Sequence, residues 1–137
     1  MKFIYDNKYL ACAKCSVSDK VYNVNLVQYD DDNYNYDWNI FKQDSESFII
    51  FFEKPEVNTI LINGTDIRMD ACNGIDEDRQ IIGYLNSKQN FKIEFRKENT
   101  CVIYAIDDKN CNYFVKVNND HFVLTKNKND ATIFIFE

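Results

Sequence analysis

The chain has 137 residues, enough for one domain with a sizeable core, and 15% of them are aromatic, with eleven Phe and nine Tyr. Its formal net charge of −6 is the reverse of the basic footprint that phosphate neutralisation demands, which argues against nucleic acid and against anionic membrane surfaces as partners. No stretch approaches the roughly 18 apolar residues of a membrane span, and the N-terminal MKFIYDNKYLACAKC is interrupted by Asp6, Asn7 and Lys8 before a signal-peptide apolar region forms.

From the N-terminus onward the pattern is that of strands. Sustained helical spacing is absent, whereas short apolar runs rich in β-branched and aromatic residues alternate with polar ones. The runs are FIYDNKYLACA from residue 3, VYNVNLVQY from 21, WNIF from 38, FIIFF from 48 and TILINGTDIRM from 59. They continue with FKIEF from 91, CVIYAI from 101, YFVKV from 113, HFVLT from 121 and TIFIF from 132. Between them stand Asp6-Asn7, Asn63-Gly64, Asp107-Asp108 and Asn118-Asn119-Asp120, residue types that tolerate the left-handed backbone region of tight turns. Asn63-Gly64-Thr65 also spells a glycosylation triplet, but as a hairpin turn it needs no further role.

The runs recur. Phe3-Ile4-Tyr5, Phe48-Ile49-Ile50 and Val102-Ile103-Tyr104 can each open a unit, and Trp38 to Phe41, Phe91 to Phe95 and Ile133 to Phe136 can each close one. The prediction is a single all-β domain over 1–137, a β-trefoil of three pseudo-repeats of four short strands, with units at about 1–45, 46–98 and 99–137. A sandwich or ordinary barrel would lack the threefold recurrence.

The last unit, NYFVKVNNDHFVLTKNKNDATIFIFE, resembles the closing unit of β-trefoil proteins of the hisactophilin and fascin group. In the first, VNLVQY, a polar loop and Asn35-Tyr36-Asp37-Trp38-Asn39-Ile40 resemble the ricin-type lectin signature of Asn-Gln, any residue, Trp, any residue, Phe. The lectin resemblance implies a sugar-binding role for Asn35 and a core role for Trp38. Two positions depart from it: Tyr36 stands where the signature has Gln, and the lectins' early sugar-binding Asp falls at about Ala11, with Val115 in the related place of the third unit. Hisactophilin is rich in histidine and this chain holds a single His121, so its pH-switch behaviour is not implied. The superfamily hosts lectins, cytokines, actin-binding proteins and protease inhibitors, so the resemblance bears on fold more than on function.

The densest site chemistry is YDDDNYNYDW, residues 29–38. As an EF-hand loop starting at Asp31 it fails, because Tyr36 stands where the glycine is needed and Lys42 where the bidentate glutamate is needed. Sugar recognition asks instead for an aromatic face with amides and carboxylates around it. Tyr29, Asp30, Asp32, Asn33, Tyr34 and Asn35 supply those groups, with Asp32, Asn33, Tyr34 and Asn35 as the ligand-binding candidates. The competing reading is a solvated connection between strands.

Five cysteines, Cys12, Cys15, Cys72, Cys101 and Cys111, are an odd number and fit a reducing compartment, so the expected location is cytoplasmic. Cys12-Ala13-Lys14-Cys15 has the spacing of half a zinc site, but no second half accompanies it, and on a strand the two thiols would point to opposite faces. One histidine and three glycines leave little for general-base chemistry or phosphate cradling. No catalysis, cofactor or metal is expected. The predicted function is a binding module that recognises a glycan or glycoprotein through the first-unit loop. The alternative is a protein partner, cytoskeletal, cytokine-like or inhibitor-like, met through exposed loops such as CNGIDEDRQII, residues 72–82.

Overall fold

The computed structural model describes residues 1–42 and 58–137. Among these lie thirteen strands: β1 (Phe3–Tyr5), β2 (Lys8–Ala13), β3 (Val21–Val27), β4 (Tyr34–Asn35), β5 (Trp38–Lys42), β6 (Asn58–Ile62), β7 (Ile67–Ala71), β8 (Ile81–Leu85), β9 (Phe91–Arg96), β10 (Thr100–Ile106), β11 (Asn112–Asn118), β12 (His121–Thr125) and β13 (Phe134–Phe136). Among the described residues a single 3-10 turn, Lys128–Asp130, precedes β13. The all-β class is as the alternating pattern predicts. The expected strand at 48–52, and with it the boundary near 45 between the first two units, lies outside the described residues.

Seven antiparallel strands close on themselves in the order β10, β11, β12, β3, β2, β1 and β13, with β13 returning to β10. The outer strands continue from β3 to β8, β7, β6 and β9, which rejoins β10, and β5 lies against β6. One more main-chain link ties the N-terminus, just before β1, to the start of β5. The Met1 ammonium donates to Trp38 O at 2.9 Å and Trp38 N donates to Met1 O at 2.8 Å.

Side-chain alternation explains what fills the interior. On β7 the buried residues are Ile67, Met69 and Ala71, with Arg68 and Asp70 between them turned outward, the period of two that a half-buried strand dictates. The first residues of β5, β9 and β13 are Trp38, Phe91 and Phe134, each fully buried. Trp38 also donates its indole N–H to Leu10 O at 3.0 Å, which satisfies the one polar atom of a ring sunk among apolar neighbours.

Turn chemistry sets register. Asp6 and Asn7 have φ of 50° and 58°, the pair of left-handed residues that a two-residue hairpin with matching twist requires, and they place Tyr5 opposite Lys8. Gly64 has φ +76° and follows Asn63 in the turn between β6 and β7, closed by Thr65 N donating to Ile62 O at 3.1 Å. Three features were not foreseen. The polar stretch after β3 contains the short strand β4, Ile81 and Ile82 of the expected 72–82 loop instead open strand β8, and the final strand begins at Phe134 rather than Ile133.

Gly83 stands on β8 between Tyr22 of β3 and Met69 of β7. A Cβ there would lie 2.8 Å from Ile67 Cγ2 and 2.9 Å from Cys12 Sγ. Gly83→Ala should therefore destabilise by about 1–3 kcal/mol, the usual cost of overpacking, read as a lower urea midpoint with unchanged slope. Trp38→Ala should cost about 3–5 kcal/mol through cavity formation and a stranded Leu10 carbonyl. An unchanged melting temperature in that variant would contradict the burial described here.

Candidate functional site

After β3 the chain makes two tight turns in succession, with Asp31 N donating to Gln28 O and Tyr34 N to Asp31 O, both at 3.3 Å. Asp31 stiffens the second by accepting from Asn33 N at 3.0 Å, the local bonding that makes Asp and Asn turn residues. The loop is then pinned to β2, since Lys14 N donates to Asn33 O at 2.9 Å and β4 pairs with Cys12 and Ala13.

Tyr36 turns back under the loop. Its hydroxyl lies 2.6 Å from Gln28 O and 2.8 Å from Asp31 O, one proton shared between two carbonyls. Burial, with the charges of Asp31, Asp30 and Asp32 adding to it, holds this phenol above its ordinary pKa. Its ring packs with Tyr9 and Tyr29 in a three-ring cluster, centroids 5.6 Å and 5.4 Å away, and Tyr9 and Tyr29 are 5.0 Å apart. Tyr29 is the outermost ring and 58% exposed.

These residues border a cleft of about 470 Å³ lined by Lys2, Lys14, Tyr29, Asp30, Asp31, Asp32, Tyr34, Tyr36 and Asp37. Lys2 is already bound to Asp37, Nζ to Oδ1 at 3.1 Å, and that carboxylate raises the lysine's pKa. Tyr34 donates its hydroxyl to Asn25 Oδ1 at 3.3 Å. Of the four ligand-binding candidates, Asp32 and Tyr34 line the cleft. Asn33 and Asn35 do not. Asn33 uses its main chain to fasten the loop, and Asn35 lies in β4 opposite Cys12.

Sequence reasoning missed Lys2, Lys14, Asp31, Tyr36 and Asp37 as cleft residues, and Tyr9 as the support of Tyr29. Tyr9 comes from β2, where its pairing with Val27 sets it beside the departing loop. Only the register could have revealed that.

Other places raised by the sequence are also defined. Ala11 and Val115, where the lectin pattern has its Asp, are fully buried, so a polar group there could not reach a ligand. Cys12 is buried on β2 while Cys15 is exposed beyond its end, and among the described residues no group of three His, Cys, Asp or Glu is placed to hold a metal ion. His121 opens β12 with Nδ1 3.6 Å from Asp120 Oδ1. The 72–80 loop is fastened along β12: Asp78 N donates to Leu124 O and Leu124 N to Arg79 O, both at 2.9 Å, and Lys126 N donates to Glu77 Oε2 at 2.7 Å.

All five thiols are free, but their reactivity should divide. Burial pushes Cys12 and Cys101 up to about 12 from 9.0, which denies them the thiolate needed for attack. A disulfide reagent at mildly alkaline pH should modify Cys15 and Cys111 in the folded protein and reach Cys12 and Cys101 only on unfolding. The same two thiols stay protonated in the native state after the unfolded chain has ionised. Their contribution to stability is therefore constant below pH 9.0 and declines as pH rises toward about 12. Rapid labelling of Cys12 in the native protein would contradict this.

The chain matches no protein-family model, no curated protein and no solved structure.

Proposed function

We propose that the protein is a non-enzymatic carbohydrate-binding module of β-trefoil architecture, with the cleft beside Tyr29 as its sugar site. The architecture is supported by recurrence in three dimensions. The hairpins β2–β3, β7–β8 and β11–β12 are each followed by a strand, β5, β9 or β13, that begins with a fully buried aromatic residue. A second closed circuit of main-chain links runs β1, β5, β6, β9, β10, β13 and back to β1. Six strands in a barrel with three hairpins across one end is the trefoil arrangement.

The observation that carries the function is convergence. One open cleft brings an exposed aromatic face, Tyr29, beside the carboxylates of Asp30, Asp31 and Asp32. The apolar face of a pyranose stacks on the ring, and ionised carboxylates accept from its hydroxyls. The loop is rigidified beforehand by Tyr36 and Asp31, so little ordering entropy is lost on binding. Tyr29 serves as the platform, while the hydroxyl of Tyr34 is engaged with Asn25. The odd number of free thiols suits a reducing, cytoplasmic setting.

A second reading, a protein partner met through the 72–80 loop, is favoured by its attachment to β12 and by its exposed Asp76, Glu77 and Asp78.

On a glycan array, wild-type protein should bind a restricted set of neutral sugars. Tyr29→Ala should weaken that binding roughly tenfold or more while the circular dichroism spectrum is retained. An array with no signal, or signal indifferent to Tyr29→Ala and Asp32→Asn, would remove the sugar site and leave the protein-partner reading.

A further inference from the structure

A second cleft, of about 420 Å³, occupies the connection from β8 to β9. It is lined by Ile75, Lys88, Gln89, Asn90, Lys92, Ile106 and Asn110. Its place in the chain corresponds to that of the first cleft, because each lies where a hairpin hands over to a strand opened by a buried aromatic residue, Trp38 in one case and Phe91 in the other. The charge is opposite. Lys88 and Lys92 are its only charged lining residues, and no carboxylate lines it, in a chain whose net charge is −6.

The site is built rather than incidental. Gln89 is clamped to the main chain of Ala71, accepting from Ala71 N at 2.6 Å and donating to Ala71 O at 3.0 Å, and Gln89 N donates to Ser87 Oγ at 3.1 Å. Ser87 in turn bonds the Asp70 carboxylate. That network fixes the loop that presents Lys88, Asn90 and Lys92. Across from it, Ile106 and Asn110 come from the end of β10 and the hairpin beyond, where Asp107 Oδ1 accepts from Lys109 N at 2.9 Å and Cys111 N at 2.8 Å. Two rigid walls therefore face each other over an aliphatic floor of Ile75 and Ile106.

One atom in this wall is unsatisfied. Asn90 Oδ1 is buried and has no hydrogen-bond partner, a state that costs about 1–3 kcal/mol. An acceptor of this kind is completed by a donor such as a hydroxyl, which neither a bare carboxylate nor a phosphate dianion supplies. The two ammonium groups ask for an anion, and without an arginine fork among the lining residues they favour charge over bidentate phosphate geometry.

We infer that this second cleft binds an acidic saccharide, with Lys88 and Lys92 holding its carboxylate, Asn90 Oδ1 accepting from a ring hydroxyl, and Ile75 and Ile106 meeting the apolar ring face. The first cleft, lined by four aspartates and two lysines, one of the lysines already paired with Asp37, would repel the same ligand. The chain thus carries two saccharide sites of opposite charge preference.

The test is titration of the ¹⁵N-labelled protein with short oligogalacturonate, with uncharged galactose oligomers and inorganic phosphate in parallel. Amide shifts from oligogalacturonate should be confined to Ile75, residues 88–92, Ile106 and Asn110, and the uncharged oligomers should leave those amides unmoved. Lys88→Gln with Lys92→Gln should weaken binding about tenfold or more without changing the spectrum of the unliganded protein. Asn90→Ala should weaken it less and leave the salt dependence intact, which separates the hydroxyl contact from the charge. Shifts absent at millimolar oligogalacturonate, shifts unaltered in the double variant, or equal affinity for inorganic phosphate would each overturn the assignment.

Discussion

The structure hangs on the closure of its strands around a small number of buried aromatic rings. Trp38 shows the constraint most directly. Its ring fills the interior, its indole N–H holds Leu10 O, and its own main chain exchanges hydrogen bonds with Met1. Packing and the sheet ladder are therefore coupled at a single residue, and the loop that ends at Trp38 inherits a fixed anchor. A cleft can be open to solvent and still rigid when both of its ends are tied to such points. The chain achieves this with Tyr36 and β4 on one side and with Gln89 and Ser87 on the other.

Much of the fold was legible because local chemistry and global pairing agree. Alternation such as Ile67, Met69, Ala71 against Arg68 and Asp70 states a face before any partner is known, and Asp6-Asn7 states a hairpin. Strand β4 was not legible because two residues of tyrosine and asparagine carry no periodicity; only the main chain of Cys12 and Ala13 makes them a strand. The cleft was half legible for a related reason. Asp32 and Tyr34 announce themselves by composition, whereas Lys2, Lys14 and Tyr9 arrive from strands distant in the chain. Asn33 and Asn35 have the right chemistry, yet the backbone uses those positions to hold the loop.

Charge tells a parallel story. A net −6 describes the molecule as a whole and says nothing of its surface at the scale of a ligand. At that scale screening by salt, over about 8 Å in physiological solution, makes each cleft answer to its own lining. The first gathers aspartates around a tyrosine ring, and the second gathers lysines around isoleucines. Connections that follow different hairpins can differ in this way without disturbing one another, because the buried residues that position them are not the residues that line the clefts.

The closed ring described above also has a kinetic meaning. Its last links join Phe3 to Phe136 and Asn25 to His121, residues near opposite ends of the chain. Hairpins such as β1–β2 and β11–β12 can form early and locally, but circularity cannot be completed until the final strand is available, and long-range closure of this kind is slow. On the ribosome the earlier strands wait with unpaired edges, the state most open to association with other chains. Once β13 enters between β1 and β10, those edges vanish together, so a chain lacking its last few residues loses more than one strand's worth of protection.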